Sequence, residues 1–174
     1  PPFSLLWIGM MHDLWWYSGE TAFLKGYLPG VHSVLDWFES HLAGSGLLGQ
    51  LDWWNFVDWT REFRSGVPPQ EANGQSSILS LQFAAALREA SDLESAFGSR
   101  ERASHFRDLA LRIRNAVRES CWDPERRLIA DTPSRKTFSQ HANILAILDE
   151  AVPREEQAGL MRRVLDDPQP PQCP

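Results

Sequence analysis

Aspartate directly precedes tryptophan at two places in the segment LDWWNFVDWT, at positions 51 to 60. Indole faces stack on the C–H faces of a sugar ring, and carboxylates accept hydrogen bonds from its hydroxyl groups. We therefore interpret Asp58 and Trp59 as a sugar-binding pair. Trp7, in the apolar segment 3–17, extends the same constellation. A tryptophan-rich segment is also typical of a hydrophobic core, and this alternative stays open for each indole taken singly.

Other reaction classes lack the residues that they need. The sequence has no phosphate-binding glycine loop, dinucleotide fingerprint, His-Glu-x-x-His helix, Cys-x-x-Cys pair or Gly-x-Ser-x-Gly elbow. Phosphoryl transfer, hydride transfer and zinc chemistry therefore have no support, and we expect no metal and no cofactor. Four carboxylates belong to the loops, but nothing in the sequence selects an acid and a base among Asp52, Asp58, Glu62 and Asp131.

The composition is that of a folded globular domain. The chain has 174 residues, of which 43% are hydrophobic and 23% charged. Its formal net charge is −6 without any block of like charge, which argues against a nucleic acid partner. No apolar run approaches the roughly 20 residues that span a bilayer, so we expect no membrane partner. Cys121 and Cys173 are interpreted as free thiols.

Six helical segments alternate between two types. Three are apolar around most of their circumference, as buried helices are, and three are amphipathic. The apolar segments are 3–17, 76–93 and 138–148; the amphipathic ones are 20–42, interrupted at Pro29, and those that follow Gly98 and Pro153. The apolar segments start much further apart than the about 34 to 47 residues of tetratricopeptide or HEAT repeats. This alternation predicts an all-α toroid of helical hairpins, with inner helices covered by outer ones.

Two long loops, 44–75 and 122–136, interrupt the helices. A loop of about 30 residues is uncommon in a compact domain unless it has a function. The first loop carries Asp58 and Trp59, and in a toroid the long loops at one end collect the binding groups. We therefore expect both loops to form a site at one end of the helices.

Four segments resemble, in this order, the catalytic domain of α-L-rhamnosidases of glycoside hydrolase family 78: FSLLWIGMMHDLWWYSGE, WWNFVDWT, WDPERRLIAD and SQHANILAIL. The resemblance implies an (α/α)6 toroid, of which about three hairpins are present. It also implies an enzyme that removes terminal α-L-rhamnose by an inverting reaction of two carboxyl groups. Two alternatives stay open: another six-hairpin sugar hydrolase, of the trehalase, glucoamylase or glucuronyl hydrolase type, and a non-catalytic helical-hairpin scaffold that binds partners.

The resemblance assigns roles to individual residues. Trp7 matches the tryptophan of the family's "LW" motif and Trp59 that of its "DW" motif, which implies that both contact rhamnose. Asp58 is expected to orient the loop or to bind a sugar hydroxyl. His141 and Asn143 are interpreted as buried polar groups that hold an inner helix in place.

The family's catalytic acid and base lie in regions that have no counterpart here, one before the Trp7 motif and one after the SQHAN helix. We therefore assign no catalytic residue. Residues 1–167 are expected to be part of a rhamnosidase-like domain that carries part of the substrate pocket and is inactive when isolated. Residues 168–174, rich in proline and glutamine, are expected to form a disordered tail.

Overall fold

The structure, a computed structural model, describes residues 1–166. Within this range it contains seven α-helices, one 3-10 turn (Arg64–Gly66) and one short pair of strands. The helices are α1 (Pro2–Ser18), α2 (Thr21–Lys25), α3 (Leu28–Glu39), α4 (Ser77–Phe97), α5 (Arg100–Cys121), α6 (Gln140–Leu148) and α7 (Arg154–Asp166). The strands β1 (Trp122–Asp123) and β2 (Leu128–Ile129) pair antiparallel. The predicted tail, 168–174, lies outside the described residues.

The helices form three hairpins, which confirms the predicted all-α class and the number of hairpins. Helix α4 lies at the centre, between α1 and α6. It packs along its length against α5. It is buried along most of its length, whereas α5 buries one stripe that includes Phe106 and Ile113. Helices α1, α4 and α6 thus form an inner layer, and α3, α5 and α7 cover it.

The predicted interruption at Pro29 is a restart of the helix. Helix α2 ends at Lys25, and α3 begins at Leu28 with Pro29 in its first turn. Proline is well tolerated there because the first N–H groups of a helix have no intrahelical acceptor. The second predicted helical segment is therefore two helices, and the six predicted segments become seven helices in residues 1–166.

Helix α1 is buried on one side only. Leu5 and Ile8 are buried against the core, but Phe3, Leu6 and Met10 expose 60%, 53% and 63% of their surface. These exposed side chains recur at helical spacing along one side of the helix. The sequence predicted a helix that is either buried all round or lines a cavity. The second alternative is the one observed, because Leu6 and Met10 line an open groove between α1, α4 and α6.

The interior consists of two hydrophobic clusters. The first joins α1, α3, α4 and α5, where Phe38 and Phe83 stack with ring centroids 5.5 Å apart. The second joins α4, α5, the strand pair, α6 and α7. It contains Cys121, a free thiol whose pKa is raised by burial to about 12. None of the helices in residues 1–166 is long and apolar enough to cross a membrane.

Candidate functional site

Both long loops meet at the N-terminal ends of the inner helices. The Ser77 N–H, at the start of α4, donates to the carbonyl of Asp131 at 2.9 Å. Glu71 of the first loop accepts a hydrogen bond from the Ser134 N–H of the second at 2.8 Å, and hydrogen bonds from Ser134 lower the pKa of Glu71. At the start of α1, Phe3 stacks on the first loop. The loops therefore gather at one end of the inner layer, as the sequence predicts.

The tryptophan-rich part of the first loop is closed on itself. The Val57 N–H donates to the carbonyl of Gly66 at 2.8 Å, and the Trp54 indole N–H donates to the carbonyl of Ser65 at 3.0 Å. Gly66 has a positive φ of 73°, and a Cβ there would lie 2.3 Å from the Phe56 ring. Glycine is required at this position because both the backbone conformation and the close ring exclude a side chain.

Three rings of this loop form what we call the aromatic cluster: Trp54, Phe56 and Trp59. The Phe56 ring centroid lies 4.9 Å from that of Trp54 and 5.1 Å from that of Trp59, and the two indoles are 6.1 Å apart. Phe56 also stacks on Phe3 of α1 at 5.7 Å, which anchors the cluster to the inner layer. Trp54 and Trp59 remain 54% and 65% exposed, so their faces are available to a ligand.

Asp58 is hydrogen-bonded to an inner helix. Its Oδ2 lies 2.9 Å from Nε2 of His141, the second residue of α6. The imidazole also packs against Phe63, with ring centroids 4.8 Å apart. The Asp58 side chain keeps 39% of its surface exposed, whereas that of His141 is 13% exposed. Asp58 is therefore held by the helix and still reaches solvent beside Trp59.

A buried carboxylate supports the start of α6 from the second loop. Asp131 Oδ1 accepts a hydrogen bond from the Ser139 hydroxyl at 2.5 Å. Burial raises the pKa of Asp131, and hydrogen bonds from Ser139 and Thr137 oppose the rise. Ser139 is also the N-cap of α6, because its oxygen accepts the Ala142 N–H.

Asn143 of α6 fastens the helix to the strand pair. It is fully buried, and its amide exchanges hydrogen bonds of 2.8 and 2.9 Å with the backbone N–H and carbonyl of Ile129. Its NH2 group also donates to the carbonyl of Ser139 at 2.8 Å. This agrees with the interpretation of Asn143 as a satisfied buried group.

Trp7 lies in a different aromatic group from Trp59. Its indole packs edge-on against Tyr27, with centroids 6.4 Å apart, and Cη2 lies 3.2 Å from where a Cβ on Gly30 would be. It therefore faces the outer layer, between α1 and the start of α3. The structure brings Asp58 and Trp59 together at the loop end, and it does not bring Trp7 into ring contact with them.

The sequence assigned no site role to Phe56 or His141, and it placed Trp54 among the candidate aromatic residues of the loop without a specific role. The two aromatic residues belong to the same segment as Trp59, so their proximity in sequence was a usable signal. His141 was interpreted as structural alone, and its contact with Asp58 spans 83 positions, a separation for which the sequence has no signal. Within residues 1–166, no three His, Cys, Asp or Glu side chains are grouped as metal ligands would be.

Comparisons with known proteins agree with this architecture. A family model described as the bacterial alpha-L-rhamnosidase 6 hairpin glycosidase domain matches residues 3–167. A rhamnosidase from Klebsiella oxytoca with rhamnose bound superposes with a TM-score of 0.82 at 18% identity, over 98% of this chain and 31% of that one. A GH78 family rhamnosidase of Bacillus sp. GL1 superposes with a TM-score of 0.82 at 24% identity, over 97% and 18%. No curated protein matches the sequence significantly.

The two kinds of match carry different weight. The solved structures have low sequence identity to this chain and support the fold alone. This chain also spans less than a third of one relative and less than a fifth of the other. The family model, in contrast, matches almost the whole sequence. The chain therefore belongs to the bacterial α-L-rhamnosidase six-hairpin glycosidase domain family.

Proposed function

We propose that this chain supplies part of the rhamnose-binding pocket of an α-L-rhamnosidase. The observation that carries the proposal is the exposed Trp59 indole beside Asp58, at the end of the inner layer where both loops meet. Membership of the family supports a rhamnoside as substrate, and one structural relative was solved with rhamnose bound. In this arrangement the sugar stacks on the indole, and a hydroxyl donates to the Asp58 oxygen that His141 does not engage.

The reaction we propose is inverting hydrolysis of a terminal α-L-rhamnoside. One carboxyl group protonates the leaving oxygen while another activates a water on the opposite face, with the two about 6.5 to 9.5 Å apart. We propose that both groups lie in parts of the enzyme beyond this chain. The residues described here would bind the sugar, orient it and exclude water from the face that covers the indole.

Trp7 remains a proposed second contact with the sugar. It lies on the same inner helix as Phe3, which stacks on the aromatic cluster. Its packing against Tyr27 places the indole towards the outer layer, so contact with a sugar requires a movement of this side chain. Trp7 therefore has to reorient to contact the sugar, whereas Trp59 does not.

Fluorine NMR of the fluorotryptophan-labelled chain tests the proposal, because each indole gives its own signal. We expect L-rhamnose to shift the Trp59 and Trp54 signals, assigned by Trp→Phe variants, and to leave Trp16, at the far end of α1, unchanged. D-Glucose is the control sugar. Equal shifts with both sugars, or no shift of the Trp59 signal with L-rhamnose, would contradict the proposal. If the Trp7 signal does not shift, Trp7 is not part of the pocket.

The isolated chain should not hydrolyse an aryl α-L-rhamnoside. The reason is that an inverting reaction needs an acid and a base, and loss of either removes most of the rate. The measurement is release of the aryl group compared with a buffer blank. Turnover that Asp58→Asn abolishes would show that the loop carboxylates of this chain catalyse the reaction themselves.

A further inference from the structure

We propose that His141 is a positioning residue for the sugar-binding loop: it holds Asp58, and through it Trp59, against the start of α6. The proposal rests on the function proposed above and adds to it a residue that does not itself touch the sugar. It assigns a binding role to a side chain that the sequence suggests is structural alone.

The imidazole is itself firmly placed. His141 lies in the first turn of α6, which is capped by Ser139 and fastened to β2 by the neighbouring Asn143. Phe63 packs on the ring, and the side chain is 13% exposed. A group held from its own helix and from the loop can fix a partner at low entropic cost, because few of its rotamers remain to be lost.

His141 faces a carboxylate from each long loop. Asp58 of the first loop is in hydrogen-bonding contact with it, and the buried Asp131 of the second loop interacts with it electrostatically. The imidazole therefore links the first loop to an inner helix at the end where the aromatic cluster is exposed. A side chain needed for helix packing alone would not require a partner on the loop residue that precedes Trp59.

The contact determines how the carboxylate of the loop can meet a sugar. His141 engages Oδ2 of Asp58 and thereby fixes the orientation of the carboxylate, which keeps further acceptor sites for a hydroxyl. The backbone N–H of Asp58 donates to the carbonyl of Gly66 at 3.3 Å, and the next backbone bond, from Phe63 to Thr60, is local. The Asp58–His141 pair is thus a link between the Trp59 stretch and the rigid inner layer.

Two variants of His141 separate positioning from packing. In His141→Ala the link is lost, whereas in His141→Gln an amide N–H of similar reach can still donate to Asp58. We expect His141→Ala to weaken rhamnose binding roughly tenfold, the effect of losing one charge-assisted hydrogen bond that preorganises the site. His141→Gln should restore most of the affinity. The binding is read from the Trp59 fluorine signal, and circular dichroism checks that both variants are folded.

His105→Ala is the matched control, because His105 also pairs with a carboxylate, Glu39, at 2.9 Å, but in the outer layer. It should leave the rhamnose response unchanged. An unchanged affinity in folded His141→Ala, or no rescue in folded His141→Gln, would overturn the proposal. The sugar-free spectrum distinguishes the two hypotheses. If the Trp59 signal of the sugar-free protein shifts in His141→Ala, but rhamnose does not shift it in the wild type, then His141 positions the loop and the proposed function is wrong.

Discussion

Trp59 and Trp16 expose similar fractions of their side chains, 65% and 69%, but have different neighbours. Trp59 belongs to the aromatic cluster and follows a carboxylate that an inner helix holds. Trp16 stacks on His12 near the opposite end of α1. Exposure of an indole therefore does not identify a sugar site by itself, and the proposal for Trp59 rests on the fixed acceptor beside it.

Replacement of Trp59 by alanine should weaken rhamnose binding about fivefold or more, because stacking of an aromatic ring contributes on the order of 1 kcal/mol beyond area burial. Saturation-transfer NMR observed on the sugar gives the affinity. Trp16→Ala is a better control than Trp37→Ala, because Trp37 stacks on Trp53 of the same loop. An equal loss in the two variants Trp59→Ala and Trp16→Ala would refute the pocket assignment.

The sequence singles out Asp58 and Trp59 because their residue types suit a sugar and their loop is unusually long, and their contact with a sugar stays a prediction. It was less informative about Trp7 and His141. The residues on both sides of Trp7 around the α1 helix are apolar, so the sequence pattern does not reveal which neighbour the indole contacts. The partner of His141 lies in a distant loop, and this contact is set by how the hairpins pack.

At the scale of the elements, α6 is held by buried polar contacts as well as by apolar packing. It has nine residues, and Asn143 bonds to β2 while Ser139 caps its N-terminus. Isolated helices of this length are marginal in water. Hydrogen bonds to the second loop and to the strand pair therefore help to position α6, and with it His141.

Asn143→Ala should lower the free energy of unfolding by about 2 to 3 kcal/mol, because it leaves the buried N–H and carbonyl of Ile129 without a partner. Urea unfolding followed by circular dichroism measures the change. Asn115→Ala on the exposed side of α5 is the control and should change stability by less than about 0.5 kcal/mol. Similar midpoints for both variants would show that the α6 contacts do not stabilise the fold.

A buried carboxylate at the end of α6 makes stability depend on pH. Burial raises the pKa of Asp149 to about 7, although Arg88 and Arg114 oppose the rise. Between the unfolded pKa of about 4 and this value, the folded state binds more protons than the unfolded chain, so stability falls as pH rises. Glu89 and Asp131, whose pKa values burial also raises, act in the same direction.

Asp149→Asn should therefore reduce the loss of stability between about pH 5 and about pH 8 without abolishing it. The measurement is the urea midpoint at both pH values, with the exposed Asp108→Asn as the control. A variant whose midpoint falls as much as that of the wild type would show that Asp149 does not carry this dependence.

The positions of the helices could be predicted from the hydrophobic periodicity, whereas those of the short strands could not. The predicted segment 76–93 corresponds to α4 (Ser77–Phe97), and the segment that begins at Phe138 corresponds to α6, which starts two residues later because Ser139 caps it. Strands β1 and β2 have two residues each, too few for any alternation to be read. Their pairing depends on the turn between them and on Asn143.

At the scale of the whole molecule, the three hairpins bury two hydrophobic clusters and leave one apolar side of α1 exposed. Phe3, Leu6 and Met10 each expose more than half of their surface, and they follow one another at helical spacing. The apolar face of a helix is normally buried against another element. We expect the buried clusters to stabilise the three hairpins and the open face to drive association.

The chain alone should bind a hydrophobic dye and associate with itself through this face. An open apolar surface of several hundred Å² forgoes several kcal/mol at about 25 cal/mol per Å², which association recovers. Sedimentation velocity over a range of concentrations measures the effect. The double change Leu6→Lys and Met10→Lys should give a monomer with unchanged helix content. Leu165→Lys, at an exposed leucine of the outer helix α7, should leave association as it is. A wild-type chain that sediments as a monomer at all concentrations would show that the α1 face does not drive association.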